Sequence, residues 1–401
     1  MQKENDKDII IYSKWYPYGV SEPFLHDEVV LLSEKFKKVY ICPLVKTGEK
    51  KRDLPLNVEV LELPQIAPSS RFRAILHSFV LSCNEKERKL HFKHFKFVVN
   101  YYRNIFRFKK FIEKFVKEKP GLVHYSYWVE DWAVLLSLLK SKLKFEFTCR
   151  AHGFDVYSER WIHKFIPFRS LQLKNVQRII FVSDTARIYM EKTNPEFVNK
   201  FAVSKLGTHD HGEGKIPEGE TFIVVSCSNV IPIKRVEVLA EALDTLDFKI
   251  NWIHIGGGKN WPALNEKTKH LGPHITVKLT GEITNEEILK FYSENAVDVF
   301  VLLSQTEGGV PVSLQEAASF GIPLVGTNAG GIPEIVNTQT GILIGNNCLV
   351  NDVSSALKRV KQENMGRNVN FRSGVRDFWV KNHDIQRNFQ IFNELLTQKP
   401  I

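Results

Sequence analysis

A chain of 401 residues with 43% hydrophobic side chains can bury sizeable cores and is too long for one ordinary core, so two domains of about 200 residues each are expected. Its net charge of +10 calls for an acidic partner or a charged surface. Cys42, Cys83, Cys149, Cys227 and Cys348 are far apart and form neither a CxxC pair nor a zinc pattern, which argues against a disulfide framework and a zinc module.

The opening MQKENDKDIIIYSKWYP meets a proline too soon for the long apolar region of a signal peptide. No apolar run approaches the roughly 20 residues that span a bilayer. The expected location is therefore the cytoplasm, or a peripheral position on the inner face of the plasma membrane. DIIIYS (8–13), a loop holding Gly19, the amphipathic PFLHDEVVLLSEKF and then KVYICPL read as a βαβ unit, with Asp6 and Asp8 in a polar tail.

Residues 83–120 carry much of the positive charge. Phe92, Phe95, Val99, Tyr102 and Phe106 recur at helical spacing, and Lys93, Lys96, Arg103, Arg107, Lys110, Lys114 and Lys117 recur on other faces. This reads as one basic amphipathic helix or two in succession. It leaves open a core-packed helix with a solvated face and a helix lying on an anionic membrane surface. Nucleic acid is not an expected partner, because no reader motif accompanies the charge.

LVHYSYW (122–128), FEFTCRAHG (145–153) and VQRIIFVSD (176–184) read as buried strands of a parallel sheet. HDHGEGKIPEGE (209–220) lacks apolar periodicity and reads as a linker. The alternation then restarts with FIVVSCS, the helix VEVLAEALDTL, INWIHIGGG, ITVKLTG, the helix NEEILKFYSE, VDVFVLLS and IPLVGT, which makes a second α/β domain. A last helix, 382–396, is expected to pack across both halves.

EGGVPVSLQEAASFG (307–321) falls between the strands VDVFVLLS and IPLVGT, where ligands bind in parallel sheets. Gly308 and Gly309 permit close backbone approach and unusual dihedrals. Pro311 suits a first helical position, and the helix start presents N–H groups to an anion. Glu316, about one turn in, suits sugar or ribose hydroxyls. NAGGIPEIV (328–336) offers a second glycine pair and a second helix start, and Lys234 and Arg235 follow another strand.

These segments together resemble the donor-binding signature of the retaining glycosyltransferases of family 4. SNVIPIKR is similar to the family's basic motif, INWIHIGGG to its glycine-ended strand, TCRAHGFDVY to its histidine motif and WYPYGVSEPFLHDEV to its opening glycine loop. The resemblance implies a GT-B fold of class α/β, with two Rossmann-like parallel-sheet domains facing a central cleft. These would be an acceptor-binding domain at 1–210, a nucleotide-sugar-binding domain at 211–380 and a C-terminal helix at 381–401 crossing back. It implies that Lys234, with Arg235, holds the diphosphate, that Glu316 binds the ribose, and that Glu307, Gly308, Gly309, Val310, Pro311 and Val312 meet donor sugar and phosphate. His152 would reach the donor sugar or the reacting centre, and Gly19 would lie close to the diphosphate. His152, Glu307 and Lys234 are the catalytic candidates.

Beside these, Asp155 and Tyr157 are expected to shape the histidine loop and His254 to be structural. Glu22 and His26 are open to an acceptor contact or a helix-surface role.

Two departures from the family pattern stand out. Eight residues separate Glu307 from Glu316 where seven are usual, so that Gly308 occupies the expected glutamate position. Either the loop bulges to place Glu307, or that carboxylate is lost. Asn229 stands where the basic motif usually has an arginine.

No Asp-X-Asp follows a strand and no His/Asp cluster has metal spacing, so metal-independent transfer without a cofactor is expected. The donor would be a UDP- or GDP-linked sugar and the acceptor a glycan or lipid-linked oligosaccharide of a surface polysaccharide (capsule, exopolysaccharide or lipopolysaccharide). The rival readings are a catalytically weak nucleotide-sugar-binding subunit and a GT-B epimerase or phosphorylase.

Overall fold

The structure, a computed structural model, describes residues 5–19, 21–46, 52–65 and 71–398. Met1–Glu4 of the opening segment and Val20 of the first glycine loop lie outside them. The chain divides into two compact units. The first runs to Val182 and takes in Ala186–Ser204 and the chain from Phe389 onward. The second comprises Ser183–Thr185 and Lys205–Asn388.

In chain order the first unit holds β1 (Asn5–Ser13), α1 (Phe24–Lys35), β2 (Phe36–Pro43), β3 (Val58–Val60), α2 (Arg71–Cys83), α3 (Arg88–Lys93), α4 (Phe95–Phe106), α5 (Lys109–Glu118), β4 (Val123–Ser126) and α6 (Asp131–Leu143). It continues through β5 (Phe147–Ala151), α7 (Arg169–Asn175), β6 (Arg178–Phe181), α8 (Asp184–Thr193) and β7 (Phe201–Val203). Its seven strands are ordered β3-β2-β1-β4-β5-β6-β7. Every pairing is parallel: Ile9 is in register with Val39 on one side and Val123 on the other. Ile9, Ile10 and Ile11 are all fully buried, as expected of a strand covered on both faces. Because β1 begins at Asn5, Asp6 and Asp8 belong to a strand rather than to a tail.

The basic stretch forms three short helices, α3 to α5, in place of one or two. Val99 and Tyr102 are buried, packing with Ala74, Val98, Val134 and Phe168. The apolar stripe of α4 is thus core-facing, and its cationic positions Lys96 and Arg103 fall outside that core.

The second unit holds β8 (Phe222–Cys227), α9 (Val236–Asp244), β9 (Ile250–Ile255), α10 (Trp261–Thr268), β10 (Ile275–Leu279), α11 (Asn285–Glu294), β11 (Val299–Leu302), α12 (Val312–Ser319), β12 (Leu324–Thr327), β13 (Gly341–Ile344), α13 (Val350–Gln362) and α14 (Val369–His383). A final helix, α15 (Ile385–Thr397), closes the described chain. Strand order is β10-β9-β8-β11-β12-β13, again all parallel. This is the doubly wound order, in which the chain reverses direction between β8 and β11 and leaves a crevice beyond their carboxyl ends. Residues 209–220, read as a linker, carry no strand or helix but are tied down. The Arg376 guanidinium donates to both carboxylate oxygens of Asp210 (2.7 and 2.6 Å) and to the carbonyl of Gly212 (3.0 Å).

Candidate active site

In the second unit the exits of β8 and β11 meet at this switch point. The chain leaving β8 passes Ser228 to Val230 and a single 3-10 turn, Pro232–Lys234, before α9. Gly256 and Gly258 after β9 make that path possible. Both have positive φ (127° and 138°), and a Cβ would sit 2.2 Å from the carbonyl of Ser228 and 2.9 Å from Val230. The strand read from its glycine ending therefore supports the loop that carries Lys234.

Lys234 Nζ donates to Glu307 Oε1, with both side chains largely covered. The loop thus brings Glu307 to the lysine. Arg235 is placed otherwise than expected. It is left-handed (φ 51°), buried, and donates to the carbonyls of Leu303 (2.7 Å) and Asn346 (2.7 Å), so its guanidinium anchors loops and is not open to a phosphate.

Gly308 and Gly309 are half-buried, and neither is among the residues of positive φ, so the unusual dihedral expected of them is not what selects glycine there. Pro311 is the N-cap of α12 and Val312 its first helical residue, one position later than read. The N–H groups of that first turn have no acceptor within the helix. The second glycine pair plays another part than expected. NAGGIPEIV enters only a 3-10 turn, Ile332–Glu334, whose first N–H is already bonded to Ala329. Gly330 and Gly331 instead lie against the first loop: a Cβ would come within 2.1 Å of the Glu307 carbonyl and 2.4 Å of Gly309.

Glu316 lies in the second turn of α12, buried, accepting from Asn285 Nδ2 at 2.6 Å. Burial pushes its carboxyl up to about 7, against the opposing pull of the Asn285 bond. The same carboxylate, after burial itself, helps push the Cys227 thiol at the end of β8 up to about 12, while Lys234 draws it down. Cys227, Lys234 and Glu316 thus share one environment. Asn285 was not singled out from sequence, since it reads only as the start of a capped helix.

The first unit gathers its candidates around the exits of β1, β4 and β5. His152 follows β5 and packs against Tyr127 and Trp128 (ring centres 4.3 and 4.7 Å apart). Both its ring nitrogens are shut off from solvent and have no hydrogen-bond partner among the described residues. Burial, reinforced by Arg150, pushes its pKa well below the ordinary value and keeps the imidazole uncharged. Asp155 shapes this loop, as expected: Oδ1 accepts from the N–H of His152 (2.8 Å) and Gly153 (3.0 Å), and Oδ2 from Val129 (2.9 Å).

Gly19, with φ 64°, lies in the loop after β1. That loop is gripped by Glu22, whose carboxylate accepts from the N–H of Lys14 (3.1 Å), Trp15 (2.8 Å) and Tyr16 (2.6 Å) and from the Trp128 indole. Glu22 is a buried clamp of this loop and not a helix-surface residue. His26 accompanies it, its Nδ1 3.0 Å from the Tyr16 hydroxyl. Glu22→Ala leaves several buried donors unpaired, each costing roughly 1–3 kcal/mol. A clear fall in melting temperature is expected, and an unchanged one would show that water serves these donors equally well. His254, bonded through Nδ1 to Ser226 Oγ (2.9 Å), sits among buried side chains.

Residues 210–377 match the model for glycosyl transferases group 1, and residues 66–197 the model for Glycosyltransferase Family 4. The chain belongs to the family 4 glycosyltransferases.

The glycosyltransferase is similar in structure to a lipopolysaccharide outer core galactosyltransferase, WaaB, with TM-score 0.73 and 14% identity over 97% of this chain and 99% of that one. It also resembles the Anabaena protein HepE in complex with UDP, with TM-score 0.70 and 14% identity over the same shares. These likenesses establish the GT-B fold. In sequence it is 27% identical, over 31% of its length and 35% of the relative's, to a GDP-mannose-dependent alpha-(1-6)-phosphatidylinositol monomannoside mannosyltransferase of Mycobacterium tuberculosis. That match spans about a third of the curated relative. Among the described residues, no helix of the glycosyltransferase is long and apolar enough to cross a membrane.

Proposed function

We propose that the chain is a retaining glycosyltransferase that moves a sugar from a nucleoside diphosphate to a hydroxyl of a glycan or lipid-linked acceptor in surface-polysaccharide synthesis. The observation that carries this reading is the meeting of Lys234 and Glu307 at the β8/β11 switch point, next to the start of α12 and the buried Glu316. A cation and a helix N-terminus suit a diphosphate. A buried carboxylate suits ribose hydroxyls, which can donate to it. The names of the relatives, one GDP-mannose-dependent and one found with UDP, support a UDP- or GDP-linked donor.

On this reading the bond from the anomeric carbon to the diphosphate oxygen breaks while the acceptor oxygen attacks from the same face. The hydroxyl proton passes to the departing oxygen. Lys234 and the first-turn N–H groups of α12 take up the charge that develops, so no metal ion is needed for it. Glu307 holds the lysine in place before the anion arrives.

The test is the melting temperature with UDP, GDP, ADP or CMP, each with and without EDTA. A ligand at 100 times its dissociation constant stabilises by about 2.7 kcal/mol. One diphosphate is expected to raise the wild-type value regardless of EDTA and to leave Lys234→Ala unmoved. No shift with any nucleotide would overturn the donor site. Binding without sugar transfer would identify a binding subunit, and turnover without acceptor an epimerase.

A further inference from the structure

Helix α2 turns its apolar face outward. Phe72, Ile75, Leu76, Phe79 and Val80 recur at i, i+3, i+4, i+7 and i+8, the spacing that normally faces a core. Here Phe72 is 76% exposed, Leu76 54%, Phe79 51% and Val80 54%. The helix is held from its other side: Ala74 and Ser78 are fully buried, and His77 Nδ1 lies 3.2 Å from the Tyr102 hydroxyl of α4. The patch extends onto the neighbouring helices, because the Phe79 ring meets Phe92 (5.4 Å between centres) and Phe95 (6.5 Å). So broad a run of exposed large apolar side chains on one helix marks an interaction surface.

What borders the patch selects its occupant. Residues 86–96 hold five Lys and Arg against one Glu, a net +4. Lys86, Arg88, Lys89, Lys93 and Lys96 are exposed. Beside Phe92, a depression is lined by Lys93, His94, Lys96 and His163. A second copy meeting this face through a two-fold axis would set this positive charge against itself. An apolar stripe rimmed by cations matches the boundary between the acyl chains and the headgroups of an anionic bilayer.

We infer that α2 docks on an anionic lipid surface, with Phe72, Leu76 and Phe79 entering the acyl boundary and Lys89, Lys93 and Lys96 meeting the headgroups. The contact lies on residues 71–96, ahead of the part of α4 where Val98, Val99, Tyr102 and Ile105 are buried in the core.

The experiment is co-sedimentation of the full chain with phosphatidylcholine vesicles, with and without phosphatidylglycerol. The wild type is expected to sediment with the anionic vesicles only, and less so as salt is added. Phe72→Ser/Leu76→Ser/Phe79→Ser should weaken that binding by on the order of tenfold or more while keeping the melting temperature, because these side chains are exposed. Should that variant fail to fold, Lys93→Glu/Lys96→Glu, two exposed positions, is expected to lose the preference for anionic vesicles. No sedimentation of the wild type, or equal sedimentation of wild type and both variants, would overturn the inference. So would a wild-type dimer, seen by light scattering, that the serine variant dissolves without any effect of lipid. Vesicle binding reads neither donor nor acceptor, so its outcome is separate from that of the nucleotide experiment.

Discussion

Glu316→Gln is expected to raise the melting temperature of the unliganded protein on the alkaline side of pH 7 and to weaken nucleoside diphosphate binding there. A carboxyl held at about 7 against an ordinary 4.5 makes its ionised form costly by roughly 3 kcal/mol. Since the folded value is the raised one, the cost is absent below 4.5, grows between 4.5 and 7, and is complete above 7. Wild-type stability therefore falls as pH rises through this window, and glutamine, uncharged throughout, removes the fall. The gain is about 5–10 °C for a unit of this size, and it should vanish near pH 4.5. Binding should move the other way. Ribose hydroxyls donating to the carboxylate favour its ionised form, so wild-type affinity rises with pH through 7 more steeply than that of the variant. Comparing the two proteins cancels the titration of the phosphates. A variant that gains no stability above pH 7 would mean that Glu316 is solvated or paired before ligand arrives. One that gains stability and keeps its affinity would remove Glu316 from the ribose.

The parallel strands were legible because strands covered on both faces read as unbroken apolar runs. DIIIYS, FIVVSCS and VDVFVLLS correspond to β1, β8 and β11. β3 and β7, three residues each and at the sheet edges, carry too few apolar positions for periodicity to register. Local spacing also placed Lys234 after one strand and Glu307 and Glu316 after another, and the family resemblance joined them in one site. It could not say that Arg235 would turn inward to carbonyls, or that Glu22 would clamp a loop, since each depends on partners distant in sequence. Period alone likewise cannot tell a covered apolar stripe from an open one: α4 and α2 have the same spacing, and only the fold shows that the first is packed and the second exposed. The glycine pairs illustrate the same limit. Gly308 and Gly309 drew attention by their place before a helix, yet a steric demand falls on the pair 22 residues further on, at which a Cβ would strike the backbone of that loop.

That demand gives the second large effect. Gly331→Ala is expected to lower both the melting temperature and nucleotide affinity, the latter by on the order of tenfold or more, because the new methyl strikes the loop that positions Glu307. Its Cβ would lie 2.4 Å from the carbonyl of Gly309 and 2.6 Å from the nitrogen of Val310. These are backbone atoms, so no rotamer change relieves the contact. Overpacking of this kind costs about 1–3 kcal/mol. Gly330→Ala adds a left-handed backbone at φ 52°, worth roughly 1–2 kcal/mol more, and its methyl would press on the carbonyl of Glu307 itself at 2.1 Å. A shift of that loop displaces Glu307 relative to Lys234, which couples the steric clash to the diphosphate. Gly345→Ala is the matched control, since a Cβ there meets nothing within 4 Å and both properties should hold. If Gly331→Ala lowers stability but leaves affinity intact, the loop accommodates the methyl without moving the Lys234–Glu307 pair. The second glycine pair would then serve packing alone, and the grip on the donor would rest with Lys234, the start of α12 and Glu316.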